Sequence, residues 1–337
     1  MASIYTIKAL GFQWELYNPF IFCAHHNDKF PAGNGKYGPD KDLLRGRNIG
    51  SDFVVKDGFR MYHGDTVPGF PVHPHRGFET VTITLKGLVD HSDSFGAAGR
   101  YGEGDVQWMT AGKGIQHAEM FPLIHEDKEN HLELLQVWLN LPKKDKFADP
   151  FYKMLWSEDI PVVAEKDGTG KHNKIMVIAG NYKGTQAVAP APSSWAADPE
   201  NEVGIWIIEM EAGAELDLPP AKGEISRAIY HYYGNGLKIM DKKLPANHQA
   251  QLNPGEALHI ENTDAKSTFL ILQGMPILEP IAQYGPFVMN SRAEIQQAYE
   301  DYMETRFGGW PWDRSDPVHG SKAERFARYI DGSEERR

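Results

Sequence analysis

The 337-residue sequence predicts a mostly β protein, built as sandwiches or barrels in two similar domains. Three observations predict it. First, 33 glycines and 22 prolines cut segments rich in Val, Ile, Thr and aromatic residues into short runs, the composition of strands joined by turns. Second, ETVTITLKG alternates Val81, Ile83 and Leu85 with Thr80, Thr82 and Thr84, a period of two that gives one apolar face for a core and one polar face. Third, ISRAIYHYYGNG, LNPGEALHIEN and TFLILQG follow one another in the same order as ETVTITLKG, YGEGDVQWMTA and LLQVWLNLP. Strand, Gly-acidic turn and strand recur in that order, as a duplicated β unit would leave them.

The opening MASIYTIKALGFQWELYNPF has no basic stretch followed by a sustained apolar run, so export is not expected. No segment approaches the ~20 apolar residues of a membrane-spanning helix, and no membrane association is expected. Cys23 is the only cysteine, which rules out an intramolecular disulfide and suits a reducing compartment; the cytoplasm is the expected location. A net charge of −11 without any dense Lys/Arg block argues against direct nucleic-acid binding, which needs a concentrated basic face.

Along the chain, the turn Gly102–Asp105 leads into VQWMTAGKG, and LLQVWLNLP reads as a buried strand stopped by Pro142. The charged stretch KKDKFAD before Pro150 is where the chain is expected to leave the first domain. Domains are therefore expected at 1–145, 150–290 and, as a helix with an extension, 291–337. In SRAEIQQAYEDYMETRF, Ser291 is a candidate N-cap with Glu294 completing a capping box, and Ile295, Tyr299 and Tyr302 share a face. The remaining tail, with Trp310 and Trp312 in a proline turn, is expected to be a strap over another surface, with a short amphipathic piece, fraying after about Asp331.

The chemistry is concentrated in VHPHRGFETVT. Side chains two apart on a strand share a face, so His73 and His75 lie about 7 Å apart and can serve one ion. Pro74 between them cannot donate to a ladder, which favours a strand edge or entrance. Alone, such a pair is also compatible with a solvated strand face. A second pair of the same spacing, His117 and Glu119 in GIQHAEM, comes about forty residues later, the distance needed to return on a neighbouring strand. Three imidazoles and one carboxylate would form a half-closed site suited to Fe(II), and also to Mn, Ni, Cu or Zn, with open positions for substrate and dioxygen.

HPHRGFETVT, GDVQWMTAGKGIQHAEM and EPIAQYGPFVMNSRAEI closely resemble the pirin family of the cupin superfamily. The resemblance is specific over Pro71–Leu141 and Phe269–Ile295, while the intervening second domain matches in pattern only. The loop AHHNDKFPAGNGKYG and the tail after about Phe307 depart from it. The resemblance implies two cupin-type β-barrel (double-stranded β-helix) domains, one metal in the amino-terminal domain, and His73, His75, His117 and Glu119 as ligands. It also implies metal-dependent dioxygenation of a flavonol or related enolisable aromatic by O2, as in quercetin 2,3-dioxygenase members, with Glu119 as general base. Its alternative is an iron-dependent, redox-responsive module that binds a protein partner without turnover; a degenerate cupin with metal only for stability is a third reading.

Competing readings bound the site. The wider cupin pattern places a Glu a few residues after His-x-His, and Glu79 has the parity to face with His75. The pirin resemblance gives the carboxylate role to Glu119, leaving Glu79 to hydrogen-bond a ligand imidazole or face solvent. The second domain has no His-x-His, only His231, His248 and His259, and is expected to be a metal-free structural partner. QWMTAGKG lacks the first glycine and the hydroxyl residue of a phosphate loop and reads as a turn. His25 and His26 are adjacent and would point to opposite sides of a strand; His26 could lie near the pocket. Trp108, Met109 and Phe121 read as barrel wall, EDKEN and EERR as solvated charge, and Cys23 has no motif of a nucleophile around it.

Overall fold

A computed structural model of the chain describes residues 3–337. It is built from short strands, with one α-helix among the described residues, Arg292–Thr305. No helix is long and apolar enough to cross a membrane. Two compact units emerge, each a barrel of opposed sheets. One comprises residues 25–137, 143–157 and 279–337; the other takes the chain up to residue 24 together with 138–142 and 158–278.

The unit that carries the paired histidines has one sheet in the spatial order Glu334–Arg336, Phe326–Arg328, Ala98–Gly102, Leu88–Asp93, Ile115–Met120, Gly69–His75. Opposite it runs Phe151–Leu155, Val106–Thr110, Phe78–Lys86, Asn130–Asn140. The predicted alternation holds in Phe78–Lys86, but both faces are buried: Val81, Ile83, Thr80, Thr82 and Thr84 are all at most 1% exposed. The threonine face is covered because it looks into the barrel, toward the facing sheet. Thr82 Oγ1, for example, donates to Glu119 at 3.1 Å. The expected turn Gly102–Asp105 is closed by Asp105, whose Oδ2 accepts from the Gly102 N–H at 3.0 Å.

Glu133, 8% exposed on Asn130–Asn140, lies between His25 Nε2 at 3.3 Å and Lys86 Nζ at 2.7 Å. Burial pushes its carboxyl up, but the hydrogen bonds from His25 and Lys86 outweigh this and hold it at about 2. A depressed folded-state value means that the stabilisation is complete above the ordinary carboxylate range and is lost as pH falls toward 2. Glu133→Gln is therefore expected to flatten the acid limb of the stability curve below about pH 4.5. Denaturation midpoints measured at several pH values check this; equal slopes in both proteins contradict it.

The helix forms where its signals place it. Ser291 accepts from the Glu294 N–H at 3.3 Å, while Glu294 reaches back to the N–H of Asn290 at 2.9 Å, one residue before the cap. Ile295 and Ala298 are buried against Phe287, Met289 and Phe307, with Tyr299 and Tyr302 packed at the edge. The tail is a strap, but it does not fray after Asp331. Phe326–Arg328 pairs with Ala98–Gly102, and Glu334–Arg336 pairs back on Phe326–Arg328. The Asp-Gly pair supplies this hairpin: Gly332 has φ +83°, and Asp331 Oδ1 accepts from Ser333 N at 2.9 Å. Glu335, expected to be solvated, accepts from the Trp156 indole N–H.

In the other unit a seven-stranded sheet runs Ile4–Ala9, His248–Leu252, Ser226–Tyr233, Ser267–Gly274, Gly204–Met210, His172–Ala179, Val162–Lys166, with a second sheet of Glu215–Leu218, Leu258–Asn262, Gly236–Ile239 and Lys242–Pro245. Ile229, Leu252, Phe269 and Ile271 fill its core, each worth roughly 1.5–3 kcal/mol through removal from water. His231 bridges Pro245 O and Ser267 Oγ, and His259 pairs with Asp217.

Candidate metal centre

His73 and His75 point inward from Gly69–His75, and His117 lies directly opposite His73 in the antiparallel ladder with Ile115–Met120. Residues opposite one another share a face, so this register alone brings the two separated motifs together. One ligand atom from each of the three histidines lies within 4.8 Å of the others. A bulge between Phe70 and His73 sets two residues against one on the partner strand. It also turns Phe70 onto the histidine face, with its ring 6.3 Å from that of His73.

The histidines are prepared as neutral ligands. Burial pushes the His73 imidazole down to about 4, and burial with the neighbouring imidazoles holds His75 and His117 well below the ordinary range. Nδ1 of His73 is 2.9 Å from Pro71 O, and Nδ1 of His75 is 3.4 Å from Pro286 O. Donation there leaves the lone pair on Nε2 of each ring. His117 is fully buried and neither of its nitrogens has a hydrogen-bond partner. A buried polar atom without a partner is costly, and a divalent cation between three imidazoles satisfies it. The donors present therefore fit a metal ion, with nitrogen chemistry that suits several first-row metals.

Glu119 is on the same face as His117, two residues on, and its Oε2 is 3.9 Å from His117 Nε2. Its carboxylate is held by Gln136 Nε2 at 2.6 Å, Thr82 Oγ1 at 3.1 Å and the Tyr101 hydroxyl at 3.4 Å. Burial raises its pKa, opposed by His91 and by these hydrogen bonds. Glu79 is elsewhere. It is fully buried, accepts from Thr110 Oγ1 at 2.7 Å, and shares its face with Val81 and Trp108, opposite to that of Thr82. It does not face solvent, and its sheet face is opposite to the one on which Thr82 meets Glu119. The strand breaks at Gly77, whose φ of +86° restarts the alternation before Glu79, and a side chain at Gly77 would run into Val288 O.

The sequence reading passed over a third pair of the same spacing, His91 and Asp93. The register places His91 opposite Glu119 and Asp93 opposite His117, so both enter the site face. The His91 ring is 5.6 Å from His117 and stacks on Tyr152 at 4.8 Å. His26 does lie on this side, behind Phe70: its Nδ1 is 2.7 Å from the Tyr62 hydroxyl, which donates to Asp28. Met109 packs inside with Ala111 and Ile115, Phe121 packs with Tyr62, and Trp108 belongs to the other face of its sheet.

The helix secures both ligand segments. Arg76, next to His75, donates to Asp301 at 2.6 Å. Gln116, next to His117, donates to the carbonyls of Arg306 and Gly309 and accepts from the Tyr302 hydroxyl.

The pirin family profile matches residues 6–139, and the profile of the pirin C-terminal cupin domain matches residues 205–308. A Pseudomonas aeruginosa protein provisionally named as a quercetin 2,3-dioxygenase is 41% identical over 241 residues, covering 71% of this chain and 79% of its own. A tomato (Solanum lycopersicum) pirin-like protein is 40% identical over 282 residues, covering 78% and 90%. A crystal structure described as quercetin 2,3-dioxygenase from Acinetobacter baumannii superposes with a TM-score of 0.68 at 27% identity, over 91% of this chain and 96% of the other.

Proposed function

The chain belongs to the pirin family, and from that premise we propose that it is a metal-dependent dioxygenase acting on a flavonol or a related enolisable aromatic substrate. His73, His75, His117 and Glu119 are the proposed ligands, and Fe(II) is the proposed ion. The observation that carries the reading is His117, buried with two unpartnered nitrogens and facing two more neutral imidazoles. A bound ion would supply Lewis acidity and an open position for dioxygen.

The chain's own residues would do the rest. Glu119 takes the proton of the substrate hydroxyl, so that the substrate binds as an enolate. Gln136, Thr82 and Tyr101 orient that carboxylate. Phe70 and Phe78, with rings 6.3 Å from His73 and 5.1 Å from His75, give apolar walls suited to a flat aromatic ligand and help to exclude water. Ring cleavage with loss of carbon monoxide is the expected outcome.

Two measurements test this. Ferrous-loaded protein given a flavonol in air should consume oxygen while the flavonol absorbance falls; if neither changes, the catalytic reading is wrong. Among carboxylates, Glu119→Ala should lower bound metal while Glu79→Ala, altered on the opposite sheet face, retains it. Equal metal content in the two purified variants would remove Glu119 from the ligand set.

A further inference from the structure

The second barrel contains a buried charge that has no ion-pair partner among the described residues. Arg227, on Ser226–Tyr233, is 1% exposed. Its Nε donates to Gln273 Oε1 at 2.9 Å and its Nη1 to Pro219 O at 2.8 Å. Of the five N–H bonds of a guanidinium, the other three have no protein acceptor, and Arg227 takes part in no ion pair among the described residues. The nearest acidic influence, Glu202, is engaged by Lys222: Oε2 accepts its backbone N–H at 3.2 Å and Oε1 is 3.7 Å from its Nζ. Burial pushes the Arg227 guanidinium down to about 10. Buried cations are ordinarily paired, because an unpaired one gives up hydration without return.

The register explains where this charge points. Gly204, Gln273 and Arg227 form one row across three neighbouring strands, and Trp206, Ile271 and Ile229 form the next row inward. The inner row belongs to the apolar core, so the polar row sits at its end. Gly204 keeps the row open, since a Cβ there would lie 2.8 Å from Gln273 Cγ and 3.1 Å from the Trp206 ring. A cavity of about 470 Å³ opens over Arg227 and Gln273, walled by Trp206, Val203, Ala187 and Pro219. A pocket that joins apolar walls to a buried cation at its floor has the build of a small-molecule site.

We propose that this cavity binds a small organic monocarboxylate with a flat apolar body, its carboxylate on the Arg227 guanidinium and its body against Trp206. The planar fork of arginine matches a carboxylate through paired N–H donors. A single cation at the floor, with Asp198 and Glu202 also lining the cavity, favours a monoanion over a dianion such as phosphate.

Titration of the full chain with benzoate, benzamide and inorganic phosphate by calorimetry tests the site. Benzoate should bind saturably at one site per chain, with a Kd of about 1 mM or tighter. Neutral benzamide and phosphate should each bind at least about tenfold more weakly. Arg227→Met should weaken benzoate by a similar factor, and Ala197→Phe, which adds a ring at a residue lining the cavity, should abolish binding whether or not the arginine variant folds. No saturable benzoate binding, equal binding by benzamide, tighter binding of phosphate, or unchanged binding in folded Ala197→Phe would each overturn the proposal.

Discussion

His117→Ala is expected to leave the fold in place and to lower divalent-metal affinity by more than about 100-fold, since losing even an outer partner of a ligand costs roughly 10–100-fold. The apo protein already bears the cost of two buried nitrogens without partners at this position. Removing them should therefore leave apo stability little changed, even though a cavity results. The metal-loaded protein is different. An ion that binds only the folded state stabilises it in proportion to the logarithm of its saturation, and the variant forfeits that increment. Metal analysis paired with thermal melts, with and without chelator, checks both halves. Unchanged metal content, or a large drop in apo melting temperature, would show that His117 is a structural histidine.

Asp90→Ala is expected to be the most damaging single change outside the centre. Asp90 and Arg100 are 0% and 1% exposed and joined by two hydrogen bonds, at 2.6 and 2.7 Å. Asp90 Oδ2 also accepts the His319 N–H, and Arg100 donates to Lys322 O, so the pair clamps the carboxyl-terminal strap to the sheet that carries the histidines. Removing one partner leaves the other charged and buried, which costs about 3–5 kcal/mol. Replacing both with apolar residues of similar volume should recover much of the loss. Urea denaturation of the single and double variants measures this, and limited proteolysis after Lys322 or Arg325 reports release of the strap. A single variant as stable as the parent would mean that the pair is dispensable.

The fold class and the three histidines were legible because they depend on local rules. Period-two alternation marks a strand, and residues two apart share a face, so His73 with His75 and His117 with Glu119 could be paired without coordinates. The failures occur where that parity is reset or where a neighbour is supplied by register. Counting from His75 to Glu79 passes through Gly77, whose left-handed backbone ends one strand before the next begins, so Glu79 emerges on the wrong face. The bulge before His73 brings Phe70 into the site against its parity. His91 and Asp93 have the spacing used to find the other pairs, but their meaning comes from standing opposite Glu119 and His117. Arg227 reads in sequence as one polar residue in an alternating strand; its isolation follows from the row it makes with Gln273 and Gly204. The final hairpin had a signal that went unused, the Asp-Gly turn at 331–332.

The central claim is that one ion sits among His73, His75 and His117. An anomalous difference map from crystals of the protein as purified, collected at the absorption edge of the metal found by elemental analysis, tests it most directly. A single peak within about 2.0–2.2 Å of one nitrogen from each of the three imidazoles is the result expected here. No peak there, or the principal peak at another cluster of side chains, would contradict it.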